Sequence, residues 1–177
     1  LLYLHGIISQ QIIINNKEER RIQNMTSQFS QKVSEILAYS KEEAISLNSH
    51  VICPEHLLLG LLRRRDKAIN ELLEHFNFDC ETIIRRIKDN LRNENKSSLD
   101  SAEVTNDQDV TLSEETSNIL KLSVLEARKM SSEFVEDTHL LLAMLRDPHD
   151  SYPKRIFNDF NVNYDDILDL MSNNSRE

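Results

Sequence analysis

Glycine, proline, cysteine and tryptophan are all scarce in this chain of 177 residues. It contains two glycines, three prolines, two cysteines and no tryptophan. A β-sandwich or β-barrel needs many tight turns, which glycine and proline supply, so their scarcity favours helices joined by short polar loops. The two cysteines, Cys53 and Cys80, form neither a CxxC pair nor a zinc-ligand spacing. We therefore predict an all-α protein with reduced cysteines and no metal site, as is usual in the cytoplasm.

The sequence also lacks a long hydrophobic run and a phosphate-binding loop. The apolar stretches at 1–8 and 12–14 are much shorter than the roughly 20 residues that a transmembrane helix needs. No GxxxxGK[ST] motif occurs, and without its backbone cradle and lysine we expect no nucleotide hydrolysis. The prediction is a chain with no membrane anchor, no bound cofactor and no enzymatic activity of its own.

The chain has fewer basic than acidic side chains. The chain has 30 acidic side chains against 21 lysines and arginines, which gives a formal net charge of -9. An acidic surface repels phosphodiester backbones, so this balance argues against nucleic acid as a partner. The basic residues cluster at 63–65, and we interpret this cluster as a solvated helix end.

The first 24 residues differ in character from the rest of the chain. They precede Met25, and a clear helical pattern starts soon after it. Residues 17–21 (KEERR) can all be written with purine-only codons, as in a ribosome-binding region just upstream of a start codon. We therefore interpret residues 1–24 as a non-native or upstream extension.

An internal repeat is the strongest pattern in the sequence. Residues 29–63 align without a gap with residues 112–146 at an offset of 83, and fourteen of the 35 positions are identical. After a one-residue shift the match resumes more weakly, with 76–77 corresponding to 160–161. Shared helical periodicity alone does not give one ungapped register with identical serines and histidines, so we infer a duplication.

Each copy is predicted to contain four helices. In the first copy they run over about 30–47, from Pro54, over about 66–76 and from just after Asp79, with Ser30 and Ser113 in the N-capping positions. The second helix is apolar on most sides, which predicts a buried central helix. A polar, acidic linker (93–110) joins the first repeat (25–92) to the second (111–177). We expect two tandem four-helix repeats packed as one double bundle with approximate two-fold symmetry.

These residues resemble the Clp N-terminal domain, a doubled four-helix module that precedes the ATPase rings of ClpC, ClpA and ClpB. The family pattern has Phe-Thr or Phe-Ser, then Glu-Ala, then Gly-Thr-Glu-His-Leu-Leu-Leu-Gly-Leu. Its counterparts here are 29–30, 43–44 and 53–61 (CPEHLLLGL) in the first copy, and 112–113, 126–127 and 136–144 (EDTHLLLAM) in the second. The resemblance covers about 29–171 and is nearest to the ClpC branch.

The resemblance implies a function in protein quality control. In this family the domain sits above a hexameric ring, receives adaptor proteins and unfolded or tagged substrates, and passes them to the motor. The motor, which binds ATP, threads them into a ClpP-type peptidase or pulls aggregates apart. The chain would then be a cytoplasmic receptor, monomeric when isolated. The alternative is a stand-alone helical module with a regulatory or structural role and no linked ATPase.

The resemblance also implies a candidate ligand site. In ClpC relatives the glutamate that corresponds to Glu55 helps bind phosphorylated arginine, near the hydroxyl residue that starts the first helix. Helix amides suit the phosphate and a carboxylate suits the guanidinium, so the expected site is Ser30 with Glu55. The second copy keeps the hydroxyl as Ser113, but Thr138 replaces the glutamate, so a single site is expected. The alternative is that Glu55 only stabilises the positive end of its helix.

Two equivalent histidines, His56 and His139, precede the leucine runs. They are either metal ligands or core residues bonded to nearby backbone, and the absence of a second ligand pattern favours the core. Ser30, Cys53 and His56 have no accompanying oxyanion site or orienting acid in the sequence, so we expect no catalytic residues.

Overall fold

A computed structural model of the chain describes residues 28–97 and 110–174, with side chains described up to 94 and 172 respectively. Within these ranges the elements are α1 (Gln31–Ser46), β1 (Val51–Ile52), α2 (Pro54–Arg64), α3 (Lys67–His75), α4 (Cys80–Ser97), β2 (Thr111–Leu112), α5 (Glu114–Lys129), α6 (Asp137–Arg146), α7 (Tyr152–Asp159) and α8 (Tyr164–Asn174). The predicted all-α class and the four helices of each repeat are confirmed. The proposed extension at 1–24 lies outside the described residues.

The helices begin at the residues that the sequence indicates. The Ser30 hydroxyl accepts a hydrogen bond from the Val33 amide at 3.4 Å, and the Ser113 hydroxyl accepts one from the Thr116 amide at 3.1 Å. Each serine thereby satisfies an amide that has no partner within its own helix. Pro54 is the first residue of α2, where the missing amide hydrogen costs nothing.

The helix ends repeat the same backbone geometry in both copies. Asn48 follows α1 with a φ of 56°, and Ser131 follows α5 with a φ of 55°. Asn77 and Asn161 follow α3 and α7, each with a φ of 54°. Asparagine tolerates this left-handed region better than most residues because its short side chain can bond locally. The two copies therefore share local conformation as well as sequence register.

The linker predicted at 93–110 begins later in the structure, because α4 continues to Ser97. The Asn90 side-chain amide (Nδ2) donates to the Glu94 carboxylate at 2.9 Å, an i,i+4 contact that supports this extra turn. The remaining linker residues, 98–109, lie outside the described part of the chain.

Two short parallel pairings, which the sequence did not predict, connect the repeats. Strand β1 pairs with β2, with Val51 opposite Thr111 and Ile52 opposite Leu112. An equivalent single bridge joins Phe29 to Val135. Each paired segment runs directly into a helix, so α1 begins beside α6, and α2 begins beside α5. This reciprocal arrangement is what an approximate two-fold axis between the repeats requires.

One continuous hydrophobic core extends through both repeats. Its most buried helices are α2 and α6, which confirms the prediction of a central helix in each copy. Side chains from 57–62 and 140–145 contribute to it along with residues of the surrounding helices. Among the described helices, none is both long enough and apolar enough to cross a bilayer.

His56 and His139 bond to backbone at the starts of α2 and α6. The Cys53 amide donates to His56 Nδ1 at 3.0 Å, and the Glu136 amide donates to His139 Nδ1 at 2.9 Å. Both rings are buried. Burial lowers the pKa of His56 to about 4 and also lowers the pKa of His139. Each histidine is therefore neutral at pH 7 and supports the first turn of its helix, as the core interpretation predicted.

Lowering the pH should therefore reduce the free energy of unfolding even before the carboxylates begin to bind protons. In the unfolded chain His56 binds a proton near pH 6.5, whereas in the folded chain it stays neutral to about pH 4. Stability is thus lost as pH falls from about 6.5 towards 4, and His56 alone should contribute roughly 1–2 kcal/mol between pH 7 and 5. Urea unfolding at these two pH values measures the loss.

The control for this prediction must separate the histidines from one another. His149 has a raised pKa because it bonds to Asp147, so it acts in the opposite direction. NMR titration of individual imidazole rings resolves the contributions. A His56 ring that titrates near pH 6.5 in the folded protein would contradict the assignment.

Candidate functional site

The parallel pairings form two clefts, and each cleft uses residues from both repeats. The first lies where α1 begins beside α6. We call it the Ser30 cleft, and its lining residues are Ser30, Gln31, Lys32, Glu35, Arg64 and Glu136. The second lies where α2, α5 and α7 begin. We call it the Glu55 cleft, and its lining residues are Cys53, Pro54, Glu55, Glu94, Glu115, His149, Asp150, Ser151, Tyr152 and Arg155.

The structure separates Ser30 from Glu55, contrary to the pairing expected from the sequence. The Ser30 amide donates to the Val135 carbonyl at 3.0 Å, which places it at the start of α6, the helix of Thr138. The Ser113 amide donates to the Ile52 carbonyl at 3.1 Å, which places it at the start of α2, the helix of Glu55. The helix that Ser113 caps therefore starts beside the helix that carries Glu55, and the helix that Ser30 caps starts beside the helix that carries Thr138.

The Glu55 carboxylate lies between two helix starts. It interacts with its own backbone amide and with the backbone amide of Tyr152, the first residue of α7. Burial raises the pKa of Glu55, and these two amides together with Arg155 act in the opposite direction. Glu55 thus stabilises its own helix end, as the alternative interpretation holds, and also connects the first repeat to the second.

Negative charge dominates the Glu55 cleft. Four carboxylates line it, against one arginine and one histidine. Arg155 lies 3.7 Å from Asp150, and its side chain is largely exposed, so this pair is weak. The Glu115 carboxylate interacts with its own amide and with the Ser113 hydroxyl, and these contacts lower the pKa of Glu115. The cleft is therefore suited to a cation.

The Ser30 cleft has a balanced set of charges instead. Lys32 Nζ lies 2.6 Å from the Asp66 carboxylate, and Arg64 Nε lies 2.8 Å from Glu35. Lys32 occupies the repeat position that Glu115 occupies in the second copy, 83 residues later. One cleft thus keeps a lysine two residues after the capping serine, where the other has a glutamate.

The two clefts therefore differ in the chemistry they can perform. A phosphate group at the Ser30 cleft would be close to Lys32 and Arg64, whereas at the Glu55 cleft it would be close to four carboxylates. Nucleophilic chemistry is not supported, because burial raises the pKa of Cys53 to about 11 and keeps the thiol neutral. Within the described ranges no group of three or more histidine, cysteine or acidic side chains is arranged to hold a metal ion.

Sequence reasoning missed the reversal of charge between the clefts. The alignment of the two copies contained the signal, since it sets Lys32 opposite Glu115. The alignment does not show that this difference changes the charge of a cleft, because that follows only once the helix start of one repeat is known to face the other repeat.

Known proteins match the chain over the region that forms this double bundle. The profile of the Clp repeat (R) N-terminal domain matches residues 28–160. ClpC of Staphylococcus aureus (strain USA300), an ATP-dependent Clp protease ATP-binding subunit, is 28% identical over 134 residues, which cover 76% of this chain and 15% of that protein. The chain therefore matches only a small part of the length of this relative.

Solved structures agree on the fold. The N-terminal domain of the ClpV1 ATPase from Escherichia coli superposes with a TM-score of 0.67 at 17% identity, covering 89% of this chain and 90% of that one. The N-terminal domain of the ClpD chaperone from Arabidopsis thaliana superposes with a TM-score of 0.58 at 16% identity, covering 85% and 96%. The doubled repeat, its inter-repeat clefts and the profile match agree, and this chain belongs to the Clp repeat N-terminal domain family.

Proposed function

We propose that this chain is the substrate- and adaptor-receiving N-terminal domain of a Clp-type ATP-dependent protein unfoldase. The observation that carries the proposal is the doubled Clp repeat with two inter-repeat clefts, found in a chain similar to part of an ATP-binding subunit. The chain itself has no phosphate-binding loop, so hydrolysis belongs to the remainder of the parent protein. That parent acts in the cytoplasm as a hexamer with a ClpP-type peptidase.

A transplant experiment tests the receiving function. The chain is fused in place of the N-terminal domain of S. aureus ClpC, and degradation of a fluorescent unfolded protein by the ClpC–ClpP pair is followed. We expect faster degradation than with the motor that lacks any N-terminal domain, at an unchanged basal rate of ATP hydrolysis. A stand-alone regulatory or structural module would give no gain over that truncated motor, and this result would reject the proposal.

The Glu55 cleft is the part of this domain that recognises a basic side chain. Its carboxylates complement a guanidinium or ammonium group, and Glu55 lies at the joint of three helices. A phosphorylated arginine is a poorer ligand there, because Glu115 stands where the other cleft has Lys32. The ligand class is thus an unmodified arginine or lysine in an extended segment of the substrate.

Glu115→Lys should change this preference. The substitution places a cation beside Ser113, as Lys32 lies beside Ser30, and so supplies a partner for phosphate. A hydrogen bond to a charged group contributes about 1.5–3 kcal/mol, so affinity for a phosphoarginine peptide should rise by about tenfold or more. Calorimetric titration of the wild type and the variant, with phosphorylated and unmodified arginine peptides, measures the change.

Glu55→Ala is the matched control. In the Glu115→Lys background it should remove the gain, because the guanidinium loses its carboxylate. In the wild-type background it should weaken binding of the unmodified arginine peptide. Stronger binding of phosphoarginine than of arginine by the wild type would show that the cleft has kept the family's specificity.

A further inference from the structure

Exposed apolar side chains are concentrated at one place in the described part of the chain. Leu125, Met130 and Phe134 are its exposed large hydrophobic residues, with 51%, 36% and 43% of their surface accessible. All three lie within ten residues, at the end of α5 and in the segment that follows it. The Ser132 amide donates to the Ala127 carbonyl at 2.9 Å, so this segment turns back at the last turn of α5.

The first repeat has no such surface at the equivalent positions. Glu42 occupies the position of Leu125, and it pairs with Arg63 at 2.8 Å. Arg63 also covers the Tyr39 ring at 4.3 Å. Leu47 occupies the position of Met130 and is only 9% exposed. The same fold can thus cover this face with polar contacts, and the second repeat does not.

Two cations flank the exposed leucine. Lys121, Leu125 and Arg128 are spaced i, i+4 and i+7, so they form one ridge along the outer face of α5. In the parts of the chain whose side chains the structure describes, neither Lys121 nor Arg128 makes an ion pair or a side-chain hydrogen bond. By contrast, the neighbouring Lys129 donates to the Tyr164 hydroxyl at 2.9 Å. On a chain with a net charge of -9, two cations without a counter-ion among the described side chains mark a local exception.

We propose that this surface, the α5 patch (Lys121, Leu125, Arg128, Met130 and Phe134), docks an acidic amphipathic helix of a partner protein. An apolar seam of such a helix covers Leu125, Met130 and Phe134, while acidic residues beside the seam pair with Lys121 and Arg128. The ridge spacing suits helix-on-helix packing, and the charges fix its orientation. The patch is separate from both clefts. The identification of the partner as an adaptor rests on the proposed receiving function.

Charge favours a protein partner over a membrane. An anionic bilayer presents a broad negative surface, which the net charge of -9 repels at short range. A single acidic helix contacts only the patch, whose charged members are Lys121 and Arg128. Lipid binding is therefore the competing outcome that the experiment has to distinguish.

Fluorescence anisotropy with two designed peptides tests the proposal on the isolated 177-residue chain. Both peptides carry leucines at i, i+3, i+4 and i+7. One has glutamates beside this seam and the other has lysines. We expect saturable binding of the glutamate peptide, about tenfold or more weaker binding of the lysine peptide, and loss of affinity at high salt. Leu125→Glu and Arg128→Glu should each lower the affinity for the glutamate peptide by about tenfold or more.

Arg85→Glu is the matched control, because it makes the same change in net charge at an exposed position of the first repeat. It should alter affinity by less than about twofold. Equal binding of both peptides, absence of binding, or an Arg85→Glu effect as large as that of Arg128→Glu would overturn the proposal. Stronger binding to phosphatidylglycerol vesicles than to the glutamate peptide would assign the patch to lipid instead. A successful transplant into ClpC with no peptide binding would reject the patch alone.

Discussion

Leu58→Ala should lower the free energy of unfolding by about 2–5 kcal/mol, and Leu141→Ala should lower it by a similar amount. The two leucines hold equivalent positions in the central helices α2 and α6, and both are 0% exposed. Each substitution removes buried methyl groups and leaves a space that closely packed neighbours fill only in part. Urea unfolding followed by circular dichroism measures both losses.

The shape of the unfolding curve is part of this prediction. Residues from both repeats form one core cluster, so damage in α2 should weaken the whole bundle, and both variants should still unfold in one transition. Two separate transitions in Leu58→Ala would show that the repeats are independent. A loss below about 0.5 kcal/mol at either leucine would place that helix at the surface.

Gly60→Ala should also destabilise the fold, by about 1–3 kcal/mol or more, although alanine is the better helix former. A Cβ atom at Gly60 would lie 2.5 Å from the Ile36 carbonyl oxygen and would also overlap Ser40 Oγ. Helices α1 and α2 approach so closely here that one of them has to move. Because the Ile36 oxygen belongs to backbone, shortening Ser40 to alanine should not restore stability.

Position 143 of the second repeat supplies the internal comparison. Ala143 stands where the first repeat has Gly60, and it is fully buried. Ala143→Gly should cost about 1 kcal/mol through lost helix propensity alone, plus a small packing loss. The sign of Gly60→Ala is decisive. If that substitution stabilises the protein, the close contact of α1 with α2 is not as described.

Local sequence predicted the helices well because their signals are local. Ser30 and Ser113 cap α1 and α5 where the patterns indicated, and the leucine runs mark the buried helices α2 and α6. The end of α4 was harder to predict. Residues 93–97 (NENKS) are all polar, so no apolar periodicity marks them in the sequence, yet the helix continues to Ser97.

The candidate site was predictable residue by residue, but not as an arrangement. The motif indicated Ser30, Glu55 and Ser113 correctly as helix-start residues. It could not show which of them meet, because each copy contains the whole motif and pairing within a copy is the simplest assumption. Parallel pairing of β1 with β2 exchanges the partners and sets the helix start of Ser113 beside the helix start of Glu55.

The sequence by itself determined the class, the duplication, the helix starts and the core histidines that bond to backbone, because these depend on contacts within a few residues or on helical periodicity. The tertiary structure alone decided which repeat completes each cleft and that the apolar residues of the α5 patch remain uncovered. Those features depend on contacts between residues more than 60 positions apart, such as the Thr116 hydroxyl and the Ile52 carbonyl at 2.8 Å. No local sequence pattern predicts such contacts, because the free energy that stabilises them comes from burying one repeat against the other.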